Sequence, residues 1–493
     1  MDRFTRTADI IKAYYSYKQT ADSATFVKKV CSFFDFIKDE SLSDADLNLL
    51  LFLANEAGIP QYYDLLKSKF TNAEIGDESI NSLTMSALFH DASLIRGDSK
   101  LHRYQKHVLD SFVATQRNRY VLTAPTSFGK TFLVYEIIQK MQYQNVLLIF
   151  PAISLLSENY ARLCSWEAFS DYAIHSLSEE EFDITQKNIF IFTPERFLSF
   201  MDSHQHLHFN FAFIDEVYKI DNSFVIDQET SGENERDTAY RLALEFICNL
   251  TDNMLLAGPY MALPTAETEL HKSFNDFARD NGFVFLRYNQ FEIVSKEYTT
   301  VKSRQQYIID NIPVEIGSAS KTQKIANIIL ALSSPTENTI IYCNRKSDTE
   351  SYARQLLNNQ ELISIFQERC SAVDAPVYEI FLEHLQNTFG DDWIVLKALK
   401  GRIGIHHSLV PKYIQKEIIS LFNCGALICL FSTTTITEGV NTSAKNIIIT
   451  SGKKGTKNLR QFDAKNIAGR AGRFQQHYSG RVIAVSYTHL RAH

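Results

Sequence analysis

Three short runs in this 493-residue chain combine residue types suited to phosphate chemistry. The first is Ala124-Pro125-Thr126-Ser127-Phe128-Gly129-Lys130-Thr131, which follows an apolar, β-branched run and opens a helical pattern. That is the context of a phosphate-binding loop, because backbone N–H groups at a helix N-terminus point at phosphate oxygens. Residues Ala124 to Thr131 would cradle a nucleotide. Lys130 would reach its β- and γ-phosphates, and the Thr131 hydroxyl would ligate Mg2+. The opening residue is Ala124 rather than Gly, so the pattern is relaxed at its first position. The second run, Phe211-Ala212-Phe213-Ile214-Asp215-Glu216-Val217-Tyr218, is an apolar strand ending in two acids. Asp215 would hold Mg2+, directly or through water, and Glu216 would orient and deprotonate an attacking water. Taken alone, such a pair is more often a helix-capping carboxylate than a catalytic one. One block downstream of a phosphate loop, the balance reverses. The third run is Asn466-Ile467-Ala468-Gly469-Arg470-Ala471-Gly472-Arg473. The spacing of Arg470 and Arg473 predicts one helical face, from which they would reach charge developing on a transferring phosphoryl group. A solvated basic helix end is the plainer alternative.

These residues need sheets and helices to hold them. Residues 1–100 read as helical; Ser43 and Asp46 open one helix as a capping box, Leu47, Leu50, Leu51 and Ala54 follow at helical spacing, and Gly58 with Pro60 ends it. From residue 101, apolar runs alternate with helical patterns. Strands are expected at 120–124, 146–151, 189–193, 209–215, 254–258 and 283–287, then at 339–343, 427–432, 446–450 and 481–485. Val134, Ile137, Ile138 and Met141 mark one helix face between them. Such alternation predicts an α/β fold with parallel sheets covered on both faces. The expected organisation is a helical domain (1–100), a first α/β domain (101–290), a linker (291–322) that is polar and hinge-like around Ser295–Lys324, and a second α/β domain (323–484). Asp221–Asp237 reads as an acidic surface loop. At 45% hydrophobic and 22% charged, with a net charge of −7, the composition is globular and excludes a wholesale basic coat. No apolar run approaches the ~18–20 residues of a membrane span, so no membrane partner is expected. Seven scattered cysteines without a C-x-x-C pair point to reduced thiols and a cytoplasmic setting rather than a metal site.

In order and spacing, the motifs of residues 101–483 resemble superfamily 2 DExH-box helicases, specifically the superkiller-like branch. The phosphate loop resembles motif I. Gln105 stands where an adenine-reading Q motif would, Pro151-Ala152-Ile153-Ser154-Leu155 resembles motif Ia, and Thr193-Pro194-Glu195-Arg196 resembles motif Ib. Asp215-Glu216-Val217-Tyr218 is similar to motif II, and Ile341-Tyr342-Cys343-Asn344-Arg345-Lys346 holds the place of motif IV. Gly404-Ile405-His406-His407-Ser408 is close to that branch's Gly-Ile-His-His-Ala signature. Thr433 to Gly439 with Asn441 resembles motif V, and Gly469 to Arg473 resembles motif VI. The resemblance implies two tandem RecA-like domains behind the helical one. It also implies ATP and Mg2+ as cofactors, with Gln105 and Gly439 contacting nucleotide. Pro151, Thr193, Pro194, Arg196, Arg345, His406 and Thr433 would contact the nucleic acid. The partner would be DNA or RNA, entered through a single-stranded loading segment with 3′-to-5′ polarity. Departures are Tyr218 where the branch has His, Asn466 where it has Gln, and Ala257-Gly258-Pro259 in place of Ser-Ala-Thr.

His406 and His407 are adjacent, and neighbours on an extended strand end point apart, so a shared metal ion is not expected. Lys453, Lys454, Lys457, Arg460 and Lys465 form a basic run that suits either a nucleic-acid backbone or solvent. The terminal run Val485–His493 resembles the translation of a transposon-based sequencing adaptor and is set aside, the native chain being expected to continue past Ile483. The helical start before such a core resembles bacterial anti-phage defence helicases of the Hachiman type, which implies a nuclease or effector subunit as partner. Two alternatives to a helicase stay open on the sequence: an ATPase switch that remodels a partner complex, and an inactive nucleic-acid-binding module.

Overall fold

The computed structural model describes residues 2–67, 82–96, 99–220, 235–261, 272–301, 306–310, 312–316, 320–332, 337–371, 376–436, 442, 444–455, 457–459 and 461–485. The acidic run at 221–234, Gly439, Asn441, Arg460 and the adaptor-like residues 486–493 lie outside them. The chain divides into two compact units, residues 1–293 and 294–493.

The first unit begins with helices Arg3–Thr20, Ser23–Ile37, Asp44–Glu56, Gln61–Lys67 and Ser82–Leu94. The capping box at Ser43 forms as its residues dictate: the Ser43 hydroxyl accepts from the Asp46 N–H, and the Asp46 carboxylate accepts from the Ser43 N–H at 2.8 Å. At the far end of that helix Gly58 takes φ +75°, and a side chain there would collide with Arg103. Arg103 explains the crowding. Its guanidinium donates to Asn55 O (2.7 Å) and Glu56 O (2.9 Å), satisfying carbonyls that a helix end leaves open. The helical region is thereby fastened to the helix Arg103–Ser111, which supports the α/β part.

That part is a seven-stranded, wholly parallel sheet. Its strands are β1 (Arg119–Thr123), β2 (Asn145–Ile149), β3 (Tyr172–His175), β4 (Lys187–Phe192), β5 (Phe209–Ile214), β6 (Thr251–Gly258) and β7 (Val284–Arg287), in the spatial order β3-β4-β2-β5-β6-β1-β7. The central strands are mostly apolar because helices cover both faces, with polar residues confined largely to their ends, and β1 and β2 are fully buried. Asparagines tie the starting edge of the sheet together. Asn118 donates to Asn253, Asn253 to Asn210 O, the Asn145 N–H to Asn210, Asn188 to Asn145, and His175 bonds Asn188. The opposite edge, where strands end, is left for chemistry.

The second unit holds a six-stranded parallel sheet: β8 (Ser295–Thr300), β9 (Thr339–Tyr342), β10 (Ile403–His406), β11 (Cys429–Ser432), β12 (Asn446–Ile449) and β13 (Ser479–Ala484), ordered β8-β13-β12-β9-β11-β10. Residues 291–322, expected as a linker, carry β8 and an antiparallel hairpin, Gln306–Ile309 with Ile312–Glu315. β8 reads as polar because only its first residues are buried. Arg481 on β13 anchors this region, pairing with Asp310 (2.6 Å) and Glu337 (2.7 Å). The two units are RecA-like α/β layers behind a helical region. Among the described residues, no helix is long and apolar enough to cross a membrane.

Candidate functional site

In the first unit the chain leaves β1, makes a single 3-10 turn at Thr126–Phe128, passes Gly129 at φ +75° and enters the helix Lys130–Met141. Gly129 is required by its conformation and by its neighbour, since a Cβ would lie 2.7 Å from the Gln105 amide nitrogen. Lys130 folds back onto the loop, its amine donating to Ala124 O (3.2 Å) and Pro125 O (3.1 Å). The Ser127 hydroxyl is buried and unpartnered. Thr131 follows, half-buried on the first helical turn.

Gln105, where the resemblance implies an adenine contact, is engaged inside the protein. It is 2% exposed, and both ends of its amide are engaged inside the protein. Oε1 accepts from the His102 N–H, and Nε2 donates to Phe128 O (3.0 Å) and Gly129 O (3.4 Å). His102 completes this support. Its Nδ1 accepts from the Gln105 N–H, which leaves Nε2–H to donate to Phe128 O at 3.1 Å. Burial pushes the His102 pKa down to about 3, so the ring is neutral. His102 carried no signal in the sequence, because His is not a usual helix cap.

The acids leave β5. The Asp215 N–H donates to Ile149 O, and its carboxylate accepts from the Glu216 N–H at 2.9 Å. Burial pushes the Asp215 pKa up to about 7, the Glu216 charge adds to the rise, and Lys130 acts against it. The lysine and the two acids are therefore close enough to feel one another. Glu216 sits at φ +52°, and its Oε2 is buried without a partner. The Thr131 hydroxyl and the Asp215 and Glu216 carboxylates are oxygen donors of the hard type that suits Mg2+.

Around this centre, Pro151 is buried directly after β2. Thr193 caps the helix Pro194–Ser203, its hydroxyl accepting from the Arg196 N–H, and Arg196 donates to Ser176 O at 3.1 Å. These residues are fixed in place by local capping.

In the second unit, Arg345 is exposed at the start of the helix Lys346–Leu357. His406, expected at a nucleic-acid surface, is 1% exposed. Its Nδ1 bonds Thr435 (3.0 Å) and Ser432 (3.3 Å), and burial holds its pKa down at about 4. His407 turns instead to Glu350 at 3.2 Å. No cluster of metal-binding side chains occurs among the described residues. Thr433 is buried with its hydroxyl 3.3 Å from that of Thr435. Lys453 and Lys454 are exposed on a short hairpin with Lys457–Asn458.

The arginines do not share a helical face. The helix Gln461–Ala468 ends before them, and Ala471 makes a parallel bridge to Ala444. Gly469 and Gly472 (φ +75°) break the helix, and the turn presses onto β13, where a Cβ on Gly480 would lie 2.5 Å from Gly472 N. Arg470 donates to Thr442 O at 3.3 Å. The Asn466 side-chain oxygen is buried and unpartnered.

A protein-family profile, "Type III restriction enzyme, res subunit", matches residues 98–249. The chain is 26% identical over 424 residues to Anti-bacteriophage protein B of Escherichia coli (strain K12), covering 86% of this chain and 51% of that protein. It is 22% identical over 414 residues to Helicase POLQ-like of Drosophila melanogaster, covering 79% of this chain and 38% of the relative. Over 160 residues it is 31% identical to human Exosome RNA helicase MTR4, covering 29% of this chain and 14% of that protein. The matched core of the chain is thus similar to superfamily 2 helicases of the DExH type. This core spans about half the length of the bacterial relative and less of the others. Helicases of this kind use ATP and a divalent metal.

Proposed function

We propose that this chain is the motor core of a nucleic-acid-dependent ATPase that moves on or unwinds DNA or RNA. The reading is supported above all by Lys130, Asp215 and Glu216, whose charges bear on one another where β1 and β5 end. In this reading the backbone from Ala124 to Thr131 binds the triphosphate. Lys130 exchanges its loop carbonyls for phosphate oxygens. Glu216 orients a water and takes its proton, and its unpartnered oxygen is available for that work. Mg2+ held by Thr131 and Asp215 would neutralise phosphate charge. Arg470 and Arg473 supply positive charge to the transferring phosphoryl group. Pro151, Thr193, Pro194, Arg196, Arg345 and Thr433 line the path of a strand bound mainly through its phosphates. Turnover would step the protein along that strand, 3′ to 5′.

The second reading, an ATPase switch that remodels a partner without processive unwinding, is favoured by Ala257-Gly258-Pro259, which carries no side-chain hydroxyl. The name of Anti-bacteriophage protein B supports anti-phage defence as the proposed setting; a cytoplasmic location and a nuclease or effector subunit as partner belong to the same proposal.

ATP hydrolysis by the full chain, with and without single-stranded DNA and RNA, tests this function. Lys130→Ala and Glu216→Gln are expected to lower turnover by about 10²–10⁴. A Glu216→Gln protein that turns over at the parent rate would exclude the catalytic assignment. Strong ATPase activity without strand displacement supports the switch.

A further inference from the structure

Beyond the acids and the loop, one side chain touches the nucleotide site and has no assigned role. Tyr260 follows β6, is almost fully buried, and adopts φ +49°, a conformation that bulky L-residues avoid. Its neighbour enforces it. The Met261 N–H donates to the Thr123 hydroxyl at 2.9 Å, the Thr123 hydroxyl donates to Asn289 at 2.6 Å, and Asn289 donates back to Met261 O at 2.8 Å. These bonds pin the end of β6 to the end of β1, immediately before the phosphate loop. A strained residue persists where its surroundings over-determine it, and such residues cluster at working sites.

The constraint aims the phenol at two partners. Thr126, inside the phosphate loop, is near enough to the Tyr260 oxygen for its hydroxyl and backbone N–H to favour the charged phenol. The Tyr260 hydroxyl lies 3.4 Å from Glu292 Oε1. Burial holds the phenol well above its ordinary pKa, so it keeps its proton and has one donor, directed to the carboxylate. A polar path therefore runs from Thr126 past Tyr260 to Glu292, with the phenol donating at its Glu292 end. Glu292 is the penultimate residue of the first unit, whose last residue is Ile293. The same segment is tied to the loop elsewhere: the Tyr288 N–H donates to Thr123 O, and the Tyr288 ring lies 5.4 Å from that of Phe128.

We infer that Tyr260 is a positioning residue for the nucleotide: it holds Thr126 in register while Lys130 leaves the loop carbonyls for phosphate, and it links any shift of Thr126 to Glu292 at the end of the first unit. The inference rests on the ATP reading above. Losing the hydroxyl frees Thr126 but leaves Lys130, Asp215 and Glu216 intact, so nucleotide affinity suffers more than the chemical step.

The test uses the full chain, a fluorescent ATP analogue for binding, and steady-state hydrolysis with single-stranded DNA and RNA. Tyr260→Phe keeps the ring and removes the hydroxyl. Its KM for ATP is expected to rise about tenfold, with kcat falling by less. Glu292→Gln, which approaches the relay from its other end, should shift KM in the same direction. The double variant should be no worse than Tyr260→Phe alone, because both changes break one chain of bonds. If Tyr260→Phe melts at a much lower temperature than the parent, Glu292→Gln decides the matter through the same KM reading. A KM within twofold of the parent in the folded variant, or additive effects in the double variant, would overturn the relay while leaving the ATPase reading intact. A parent protein that neither binds the analogue nor hydrolyses ATP would overturn both.

Discussion

Where β1, β5 and β6 end, polar groups are strained and short of partners; where β10 and β11 end, they satisfy one another. In the first unit Lys130 rests on its own loop's carbonyls, Ser127 and Glu216 each leave an oxygen unpartnered, and Glu216 and Tyr260 both take positive φ. In the second unit His406, Ser432, Thr433 and Thr435 form a closed set of hydrogen bonds. The contrast suits a division of labour. A surface that must accept a triphosphate and a cation holds its charges ready at some expense in stability, whereas a surface built of neutral hydroxyl and imidazole groups can be packed to rest.

Glycine substitutions probe that contrast most forcefully. In the second unit Gly480 faces backbone: a Cβ would lie 2.5 Å from Gly472 N and from Ala471 O, and backbone on both sides cannot yield. In the first unit Gly129 faces the end of the Gln105 side chain rather than backbone, so a shift of that amide can relieve part of the clash, although its φ of +75° still disfavours a Cβ. Gly480→Ala is expected to lower stability by about 3 kcal/mol, and Gly129→Ala by about 1 kcal/mol. Calorimetric melting of the two variants measures both. Equal losses would mean that the second unit is no more tightly packed at its site than the first.

One feature is common to both units, a buried neutral imidazole. His102 and His406 have pKa values lowered to about 3 and about 4, against an ordinary 6.5. Below pH 6.5 the unfolded chain binds protons at these rings and the folded chain does not. Their contribution is therefore complete above pH 6.5 and is lost as pH falls toward their folded values, at up to about 1.4 kcal/mol per pH unit for each ring. Melting temperatures should drop between pH 7 and pH 5, and His406→Gln should flatten the slope. An unchanged slope in that variant would show that His406 is not buried as a neutral base.

The same contrast governs how far the sequence could be read. The core strands of both sheets were legible because their apolar runs are buried on two faces, and observed limits differ from the expected ones by one or two residues for most of them. β3, β8 and β10 were not among the expected strands: β3 and β8 are edge strands that read as mixed or polar, and β10, though buried, is a four-residue run interrupted by Gly404. The phosphate loop and the acids were legible because their chemistry needs those residue types in order. The helical face expected for Arg470 and Arg473 failed because spacing of three does not outweigh Gly469 and Gly472, which turn the chain onto β13. His406 and Gln105 were legible as positions, but the contacts that engage them were not. Their side chains are engaged by partners 26 to 29 and 23 to 24 residues away in sequence, and no local pattern reports such contacts. Tyr260 left no trace for the same reason, since its partners Thr126 and Glu292 lie in distant segments.

The smallest expected effect is also the most direct measure of strain in the first unit. Asp215 is held up to about pKa 7, against an ordinary 3.8, chiefly by burial and then by the Glu216 charge. Between those values the folded chain keeps a proton that the unfolded chain releases, so stability contributed at this position falls as pH rises toward 7 and then levels off. Asn at the same position has no charge to desolvate and can still accept from the Glu216 N–H. Without nucleotide or metal, Asp215→Asn should therefore raise stability at pH 8 by on the order of 1 kcal/mol, and the gain should shrink toward pH 5. The same substitution should weaken binding of the magnesium–nucleotide complex, because a carboxylate is replaced by a neutral amide. Opposite signs in the two measurements would mark a residue kept for its ligand against the interest of the fold; a variant that melts lower than the parent at pH 8 would mean that Asp215 is stabilised where it stands, and the contrast between the two sheets would lose its electrostatic half.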